Sequence, residues 1–442
     1  MQDALLYLFG VLIIFVGLAL SIALHEVGHL LPAKLFRVKV TQFMVGFGKT
    51  LWSRKKGETE YGFKLIPLGG YVSMIGMYPP KHPGEVSRES TTGFFQEVVG
   101  EARKASAETI TVGDDDRAFY RLAEWKKVII MLGGPLMNLV LAIVFYAILV
   151  AGFGVPQATT TVGQVNECLV SANAQATECT SDMPEAPAAA AGLLPGDTVV
   201  AIDGEAMTEW DRVREIVAAN PEQPLNFEIE REGKTQTLQL TPAVNERARA
   251  DASGAKIVGP DGEVEVESVG MMGVVPTMEL ERQPVTAAPA LVIDNIRAVG
   301  DVIIHMPQRL VDVWQAAFGS EERALNGPVS VVGVGRIAGD LVSNDATPVV
   351  DKAQAMVGLL ASLNVALFVF NLIPLTPLDG GHIAGAVYEG AKRRLWKLFG
   401  KGDPGPVDTA KMVPVTLVVA TLLLGMTLLL IYADIVKPMS LS

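Results

Sequence analysis

Four long stretches of the 442-residue chain contain no Lys, Arg, Asp or Glu. They cover residues 4–24, 128–151, 356–375 and 412–432, and each is long enough to cross the hydrocarbon core of a bilayer. The pattern therefore predicts four transmembrane helices. The first stretch is too long for a signal peptide and no small-residue cleavage pattern follows it, so we expect it to be retained.

The segments between the spans show other patterns. Residues 40–78 alternate between apolar and polar positions and are rich in Gly and aromatic residues, which predicts β-hairpins with turns at 56–57 and 68–70. Residues 79–118 are rich in Pro, Glu, Ser and Asp, which indicates a mobile insertion. Residues 290–318 carry apolar residues at helical spacing, which predicts a helix on the membrane surface or against the bundle.

Charge is distributed unevenly along the chain. Residues 152–355 hold 13 Lys and Arg against 30 Asp and Glu, whereas the loops after the first span and before the fourth are basic. The positive-inside tendency therefore predicts that these two loops are cytoplasmic, and that both termini and the acidic segment lie outside. Cys168 and Cys179 fall in this outside segment, where we expect them to form a disulfide. Two unpaired thiols are the alternative.

Part of the outside segment resembles a PDZ domain of the circularly permuted bacterial type. The resemblance rests on the stretch GLLPGDTVVAIDG at 192–204, which a helical pattern at 209–219 and alternating strands at 225–231 and 235–240 follow. A PDZ fold implies an exposed strand edge and a groove to which an extended peptide can add. A passive steric cap is the alternative role.

A metal-binding pattern lies at the end of the first span. Residues 25–29 read His-Glu-Val-Gly-His. Positions i and i+4 of a helix share one face, so His25 and His29 can bind one zinc ion while Glu26 reaches the metal-bound water. Ionisable residues at the end of an apolar span are costly and indicate function. A helix end that simply emerges into water is the alternative.

A catalytic zinc needs a third protein ligand. The segment NLIPLTPLDGGH at 371–382 closes the third span, and its prolines predict a broken helix that presents Asp379 at a cavity near the cytoplasmic face. His382 is the rival ligand. Spacing alone does not decide between the two.

Taken together, the motifs resemble the site-2 protease family of intramembrane zinc metalloproteases, most closely the bacterial branch that includes the regulator of sigma-E protease. The shared features are HExxH at the end of the first span, GFGK at 46–49, GGPLMN at 133–138, one PDZ domain and NLIPLTPLDGGH. The resemblance covers nearly the whole chain apart from 79–118 and an Ala- and Pro-rich connector at 171–190.

The resemblance also implies roles for individual residues. Asp379 becomes the third zinc ligand, Glu26 the catalytic base, and Asn371 a residue that holds the substrate backbone. Segment 44–75 resembles the family's membrane-reentrant β-loop, whose edge strand can pair with an unwound substrate. Polar contacts between helices are the alternative role for Asn371 and Asn138. The further candidate substrate-binding residues are Asn364, Asn138, Gly46, Phe47 and Gly48.

The expected fold is an α-helical polytopic membrane protein with four transmembrane helices, a membrane-associated β-hairpin loop and an extracytoplasmic α+β PDZ domain. The expected parts are a first span with HExxH (1–33), the hairpin region (34–78), the insertion (79–118), a second span (119–152), the PDZ domain (158–283), a surface-helix region (284–355), a third span with the LDG motif (356–385), a basic loop (386–411) and a fourth span (412–434).

The expected function is an intramembrane zinc metalloendopeptidase of a bacterial inner membrane, with one Zn²⁺ per chain. The family implies single-span substrates already shortened on the outside, such as anti-sigma factors, and remnant signal peptides. We expect the lipid bilayer as a partner and no nucleic acid. A metal transporter and a catalytically inactive metal-binding PDZ scaffold are the alternatives. No inverted repeat supports transport, and a scaffold would not need Glu26.

Overall fold

A computed structural model describes residues 2–79, 94–111, 113–170, 179, 183–249, 265–319, 323, 327–345 and 347–437. The chain divides into two compact units, a first unit of residues 1–148 and 288–442 and a second unit of residues 149–287. The helices are α1 (Gln2–Leu35), α2 (Phe94–Glu108), α3 (Glu124–Ile148), α4 (Pro187–Ala190), α5 (Trp210–Ala219), α6 (Ala288–Ile304), α7 (Met306–Phe318), α8 (Val331–Ser343), α9 (Val349–Asn371), α10 (Asp379–Leu398) and α11 (Val413–Val436). The strands are β1 (Val40–Lys56), β2 (Thr59–Met74), β3 (Val155–Val165), β4 (Thr198–Ile202), β5 (Glu205–Ala206), β6 (Leu225–Arg231), β7 (Lys234–Leu240), β8 (Ala243–Ala248), β9 (Val266–Met271) and β10 (Val274–Glu281).

Four helical segments of the described residues are long and apolar enough to cross a membrane, which confirms the predicted number of spans. They are Asp3–Leu35, Glu124–Phe153, Val349–Asn371 and Thr409–Val436. The chain is therefore a membrane protein.

Helices α1, α3 and α9 pack against one another in the first unit. Helices α1 and α3 approach closely at Gly28 and Gly133, where a Cβ atom added to either glycine would lie 2.2 or 2.1 Å from the carbonyl oxygen of the other. Small residues allow such backbone contact between membrane helices. Any side chain at this crossing would force α1 and α3 apart.

The third span is shorter at its end than predicted. Its helix stops at Asn371, and Asp379 begins the separate helix α10, so the helix is broken within 371–382 as the prolines predict, although the part expected at 356–385 is not one helix. Pro374 and Pro377 lack the N–H groups that would continue the helix. Gly380 allows the first turn of α10 to fold back against the connecting segment, since a Cβ atom there would lie 2.3 Å from the carbonyl oxygen of Ile373.

Strands β1 and β2 form an antiparallel two-stranded sheet that joins at the predicted turn near Gly57. Residues 42–45 of β1 have partners on both sides, residues 60–63 and residues 70–73. Residues 60–63 run in the same direction as residues 42–45, whereas residues 70–73 run in the opposite direction, so the chain reverses between 63 and 70, where the turn at 68–70 is predicted. Gly69, at φ +122°, lets the strand pass the Phe47 ring, since a Cβ atom at Gly69 would lie 2.2 Å from Cε2 of Phe47.

Helix α2 lies within the segment that the sequence predicts to be a mobile insertion. Arg103 of α2 pairs with Asp408, and Ser106 Oγ accepts a hydrogen bond from the Tyr78 amide at 2.9 Å. These contacts stabilise residues 94–108 as an ordered helix, so the composition of the segment was a poor guide there. Residues 80–93 of the predicted insertion lie outside the described residues.

The surface-helix region also differs from its prediction. The single helix expected at 290–318 is two helices, α6 and α7, which meet at His305. Pro307 lies in the first turn of α7, where its missing N–H costs nothing, whereas in a continuous helix it would break a hydrogen bond. A further helix, α8, follows and was not predicted.

The second unit contains a sheet with strand order β10-β3-β4-β6-β7, with β5 paired to β4 and a separate β8-β9 pair. Its core includes Val199, Phe227 and Ile229 from alternating strand positions and Trp210 and Val213 from α5. The strands predicted at 198–202 and 225–231 are confirmed, and the helix and the next strand each begin one residue from their predicted starts. The assignment of this unit as a PDZ domain stays a prediction.

The two cysteines of the second unit are joined. Cys168 and Cys179 form a disulfide with their Cα atoms 5.8 Å apart, as the sequence analysis expects. The bridge links a residue beside the start of the Ala- and Pro-rich connector to a residue within it, and most of the residues between them lie outside the described part of the chain.

Candidate metal centre

Three potential ligand atoms converge where α1, α3 and α10 meet in the first unit. His25 Nε2 lies 3.1 Å from His29 Nε2, and Asp379 Oδ2 lies 3.2 Å from the first and 3.4 Å from the second. Both imidazoles are buried. Among the described residues, these three side chains form the group that could hold a metal ion.

Both imidazoles are oriented from behind by α3. Nδ1 of His25 lies 2.9 Å from Asn138 Oδ1, and Nδ1 of His29 lies 2.8 Å from the carbonyl oxygen of Ile130. Because both partners are acceptors, Nδ1 carries the proton of each neutral ring and donates it. Each Nε2 atom then directs its lone pair towards Asp379 and the other imidazole, which is how metal-binding histidines are usually held.

The donor atoms fit a zinc ion. Asp379 Oδ2 is buried and accepts no hydrogen bond in the described residues. Three lone-pair atoms at 3.1–3.4 Å from one another repel unless a cation lies between them. A tetrahedral zinc site with ligands at 2.0–2.1 Å has edges of about 3.3 Å, which agrees with these separations. Two histidines and one carboxylate leave the fourth position for water, as catalytic zinc sites do.

Gly134 of α3 creates the space in which the ligand atoms meet. A Cβ atom at this position would lie 2.3 Å from His29 Nε2 and 2.7 Å from His25 Nε2. The sequence analysis assigned no role to Gly134. The signal that could have found it is the glycine pair at 133–134, which is unusual in the middle of an apolar helix and indicates close approach.

A strand edge lies beside Glu26. A Cβ atom added to Gly70 of β2 would lie 2.8 Å from Cγ of Glu26, so this strand contacts the residue between the two histidines. Residues 70–73 pair with residues 42–45 on one side, and no described strand pairs with their other side. The backbone of a partner could therefore add to this edge next to Glu26.

A buried ion pair holds α10, the helix that begins with Asp379, against α3. Lys127 Nζ lies 2.9 Å from both carboxylate oxygens of Glu389, and both side chains are buried. Arg393 bridges the same two helices through Glu124 at 2.5 Å and also contacts Glu389 at 3.3 Å. Removal of one partner of such a pair leaves a buried charge uncompensated, which is strongly destabilising.

The structure separates Asp379 from its rival. The Asp379 carboxylate joins the two histidines, whereas His382 lines a cavity of about 450 Å³ together with Tyr78, Thr376 and Lys411. The spacing of the two residues could not show this, because the choice depends on how the segment at 372–378 starts α10.

Two of the predicted substrate-binding asparagines are placed elsewhere. Asn138 is 0% exposed and faces His25, and Asn364 is 0% exposed and donates to Ser21 Oγ at 3.0 Å and to the Leu360 carbonyl at 2.8 Å. Side chains buried in this way cannot reach a substrate backbone. The prediction of a substrate contact is corrected for both, to a positioning role for Asn138 and a helix-packing role for Asn364.

Of the remaining predicted residues, Phe47, Gly48 and Asn371 are at least partly exposed, whereas Gly46 is buried. Asn371 is partly exposed at the end of α9, and its amide donates to the carbonyl oxygen of Leu367 at 2.9 Å. Gly46 and Gly48, at φ +93° and +85°, lie where β1 bends, and Phe47 between them is 47% exposed. Gly46, Phe47 and Gly48 belong to the sheet whose edge lies beside Glu26.

Comparison with known proteins identifies the family. Residues 13–401 match the sequence model of peptidase family M50. The chain belongs to this family, the site-2 proteases. The resemblance in the sequence motifs is thereby confirmed.

Relatives of this M50 protein extend over most of its length. It is 30% identical to the zinc metalloprotease Rip1 of Mycobacterium tuberculosis, in a match that covers 99% of this chain and 100% of the relative. It is 31% identical to Rip1 of Mycolicibacterium smegmatis, over 98% and 99% of the two chains. It is also 28% identical to the metalloprotease MmpA of Caulobacter vibrioides, over 87% and 88%. The chain is therefore a zinc metalloprotease with Zn²⁺ as its cofactor. The comparisons favour this function over the transporter and the inactive scaffold.

Proposed function

We propose that this M50 protein is an intramembrane endopeptidase that hydrolyses a peptide bond within the transmembrane segment of single-span membrane proteins. The observation that carries the proposal is the place of the metal centre. His25, Glu26 and His29 belong to a candidate membrane span of 33 residues, Asp3–Leu35. Asp379 lies eight residues after Asn371, the last residue of the span Val349–Asn371. A protease with its site at this position meets substrates that are themselves in the membrane.

The roles of the side chains follow from their chemistry. His25, His29 and Asp379 hold the zinc ion, and Asn138 and the Ile130 carbonyl orient the two imidazoles. When bound, zinc supplies a Lewis acid that polarises a scissile carbonyl and makes water a stronger acid. Glu26 accepts the proton of the attacking water on its carboxylate and passes it to the leaving nitrogen.

The substrate is held as an extended strand. A peptide bond within a helix is shielded, so the substrate must unwind before attack, and its freed backbone groups need partners in the membrane. The edge of β2 at 70–73 lies beside Glu26 and offers such partners by β-augmentation. Asn371 supplies a further polar group at the end of α9. The exposed apolar side chains in the outer part of the sheet support a membrane-associated position; they are Leu51, Trp52, Phe63, Leu65 and Ile66.

The distribution of charge supports an orientation with both termini and the second unit on the extracytoplasmic side, and with the metal centre near the cytoplasmic face, of a bacterial inner or plasma membrane. The Cys168–Cys179 disulfide fits an oxidising compartment. In this arrangement the second unit, a PDZ-type domain, controls which substrates enter. The substrates are single-span proteins already shortened on the outside, of the anti-sigma factor type, and remnant signal peptides.

Cleavage of a single-span model protein by the purified full-length chain in detergent tests the proposal. Wild-type protein should cut within the apolar segment, and a zinc chelator should stop the reaction. Glu26→Gln should keep zinc, because the three ligands remain, and should abolish hydrolysis, because the proton acceptor is gone. Mass spectrometry of the products gives the cleavage position.

The matched control is an equally long substrate whose apolar segment is replaced by a soluble, extended sequence. Cleavage of this control at the same rate would contradict an intramembrane function. Turnover by Glu26→Gln at the wild-type rate would contradict the role of Glu26 while leaving the metal ligands intact. Peptides that accumulate in cells carrying Glu26→Gln would identify the natural substrates.

Deletion of residues 158–283 tests the role of the second unit. The variant should keep zinc and cut a short model substrate, because no ligand or proton acceptor is removed. It should also cut substrates that retain a folded outer domain, which the wild type rejects. Loss of short-substrate cleavage in a variant that still folds and binds zinc would show that the unit delivers substrates instead of filtering them.

A further inference from the structure

A groove of about 510 Å³ lies between the start of α3 and residues 386–397 of α10, both in the first unit. Its apolar surface comes from Val128 of α3 and from Ala386, Val387 and Ala391 of α10. Arg394 and Lys397 lie at its other end, one and nearly two helical turns after Ala391. The groove is thus apolar along one part and cationic along the next.

The cationic end has charge available for a ligand. Arg394 and Lys397 are exposed, and neither pairs with a carboxylate of the described residues. Glu124, the carboxylate of the groove, is already paired with Arg393 at 2.5 Å. The groove therefore presents uncompensated positive charge to anything that enters it.

The position of the groove is fixed by the membrane spans. Helix α3 enters a span at Glu124, and α10 lies in the connection between the spans that end at Asn371 and begin at Thr409. The ion pair of Lys127 with Glu389 holds α10 against the first turn of α3, so the groove lies at the level where α3 enters its span. Trp125 lines the groove, is 55% exposed, and packs edge to face on Phe36 at 5.4 Å between ring centroids. Exposed tryptophans at the ends of spans are typical of the interface between lipid and water.

We propose that this groove binds a membrane phospholipid with an anionic headgroup. Its acyl chain lies along Val128, Val387 and Ala391, its phosphate contacts Arg394 and Lys397, and Trp125 lies at headgroup level. Charge complementarity selects the ligand, because two cations without carboxylate partners favour a headgroup with a net negative charge over a zwitterionic one. The lipid bridges α3, which carries Asn138, and α10, which begins with Asp379.

Native mass spectrometry of the full-length protein in detergent tests the site. The protein is titrated with phosphatidylglycerol or with phosphatidylcholine of the same acyl chains, and the dissociation constants of the adducts are compared. The wild type should bind phosphatidylglycerol about tenfold more tightly. Arg394→Gln/Lys397→Gln should weaken phosphatidylglycerol binding about 25-fold, at roughly fivefold per charge, and phosphatidylcholine binding only about two- to threefold, so that the tenfold preference is lost.

Two controls separate a built groove from general attraction to basic protein. Arg54→Gln/Lys55→Gln removes two exposed charges from the β1 strand and should change the affinity less than twofold. Ala391→Phe fills the groove without changing charge and should also weaken phosphatidylglycerol binding. A large excess of inorganic phosphate should not displace the lipid, because the apolar part of the groove contributes to binding.

The result that would overturn the proposal is equal binding of the two lipids by the wild type, or an equal loss in both double variants. Displacement by inorganic phosphate would overturn the assignment to a lipid. Zinc content and elution volume show that each variant is folded. The measurement uses no protease activity, so its outcome is independent of the proposed catalytic function.

Discussion

Gly134→Ala tests the metal centre through a residue that supplies no ligand atom. The added methyl carbon would lie 2.3 Å from His29 Nε2 and 2.7 Å from His25 Nε2, in the space that both lone pairs face. Ordinary contact begins at 3.4 Å, so the His29 ring or α3 must move by about 1.1 Å. Zinc sites tolerate changes of about 0.2 Å in their ligand distances.

The expected result is a protein that folds but binds zinc at least about 100-fold more weakly. Loss of an outer hydrogen bond to a ligand already costs 10–100-fold in metal affinity, and here the ligands themselves are displaced. Alanine is a better helix former than glycine, so the substitution does not destabilise the α3 helix itself. The zinc dissociation constant is measured by competition with a chromophoric chelator, after zinc removal, on the full-length protein in detergent.

The matched control is Gly425→Ala. Gly425 is also a glycine within a membrane helix, α11, and a Cβ atom there would meet no atom within 4 Å. This variant should bind zinc like the wild type. If Gly134→Ala binds zinc with unchanged affinity, the three side chains do not hold the metal in the arrangement described. If Gly134→Ala does not fold, smaller shifts can be tested through Asn138→Ala, which removes only the partner of His25.

The other predictions concern the ligands, their support and the second unit. Asp379→Ala should lose bound zinc, measured by elemental analysis, whereas His382→Ala should retain it; the opposite metal contents would refute the ligand assignment. Asn138→Ala should lower zinc affinity 10–100-fold without loss of folding, and Asn138→Asp should restore part of it, because a carboxylate also accepts from Nδ1. In the second unit, burial by itself would raise the pKa of the Asp197 carboxyl. Hydrogen bonds that Arg231 and the Leu194 amide donate to the carboxylate have a larger combined effect and hold this pKa below its ordinary value. Its folded pKa lies below its unfolded pKa of about 3.9, so its stabilisation is present above that pH and is lost as the pH falls through the lower folded value. Hydrogen exchange of the second unit, corrected for intrinsic rates, should accelerate in Asp197→Asn at pH 7, and the difference from the wild type should shrink at acidic pH. A difference that does not depend on pH would contradict this account.

Much of the architecture is local in the sequence and could be predicted from it. An uncharged run of about 20 residues is required by the thickness of the bilayer, so the four spans are visible as gaps in the charge. His25 and His29 share a helical face by their spacing alone. The strands at 198–202 and 225–231 follow from alternation within short segments. In each case the physical constraint acts between residues close together in the chain.

Other features depend on contacts between residues far apart, and the sequence left them open. The choice between Asp379 and His382 depends on the turn at 372–378, which sets the direction from which α10 starts. The same is true of α2, which composition alone predicted to be mobile and which contacts with Tyr78 and Asp408 order.

The sequence by itself determined the number of spans, the pair of histidines with Glu26 between them, and the zinc chemistry that these residues imply. The tertiary structure decided which side chain completes the site and what holds it. Asn138 supports His25, Gly134 makes room for both imidazoles, and Gly70 brings a strand edge to Glu26. The contacts of Asn138 and Gly134 exist because α1 and α3 meet at Gly28 and Gly133 with their backbones in contact. Such a crossing depends on the fit of two whole helices, which no local pattern encodes.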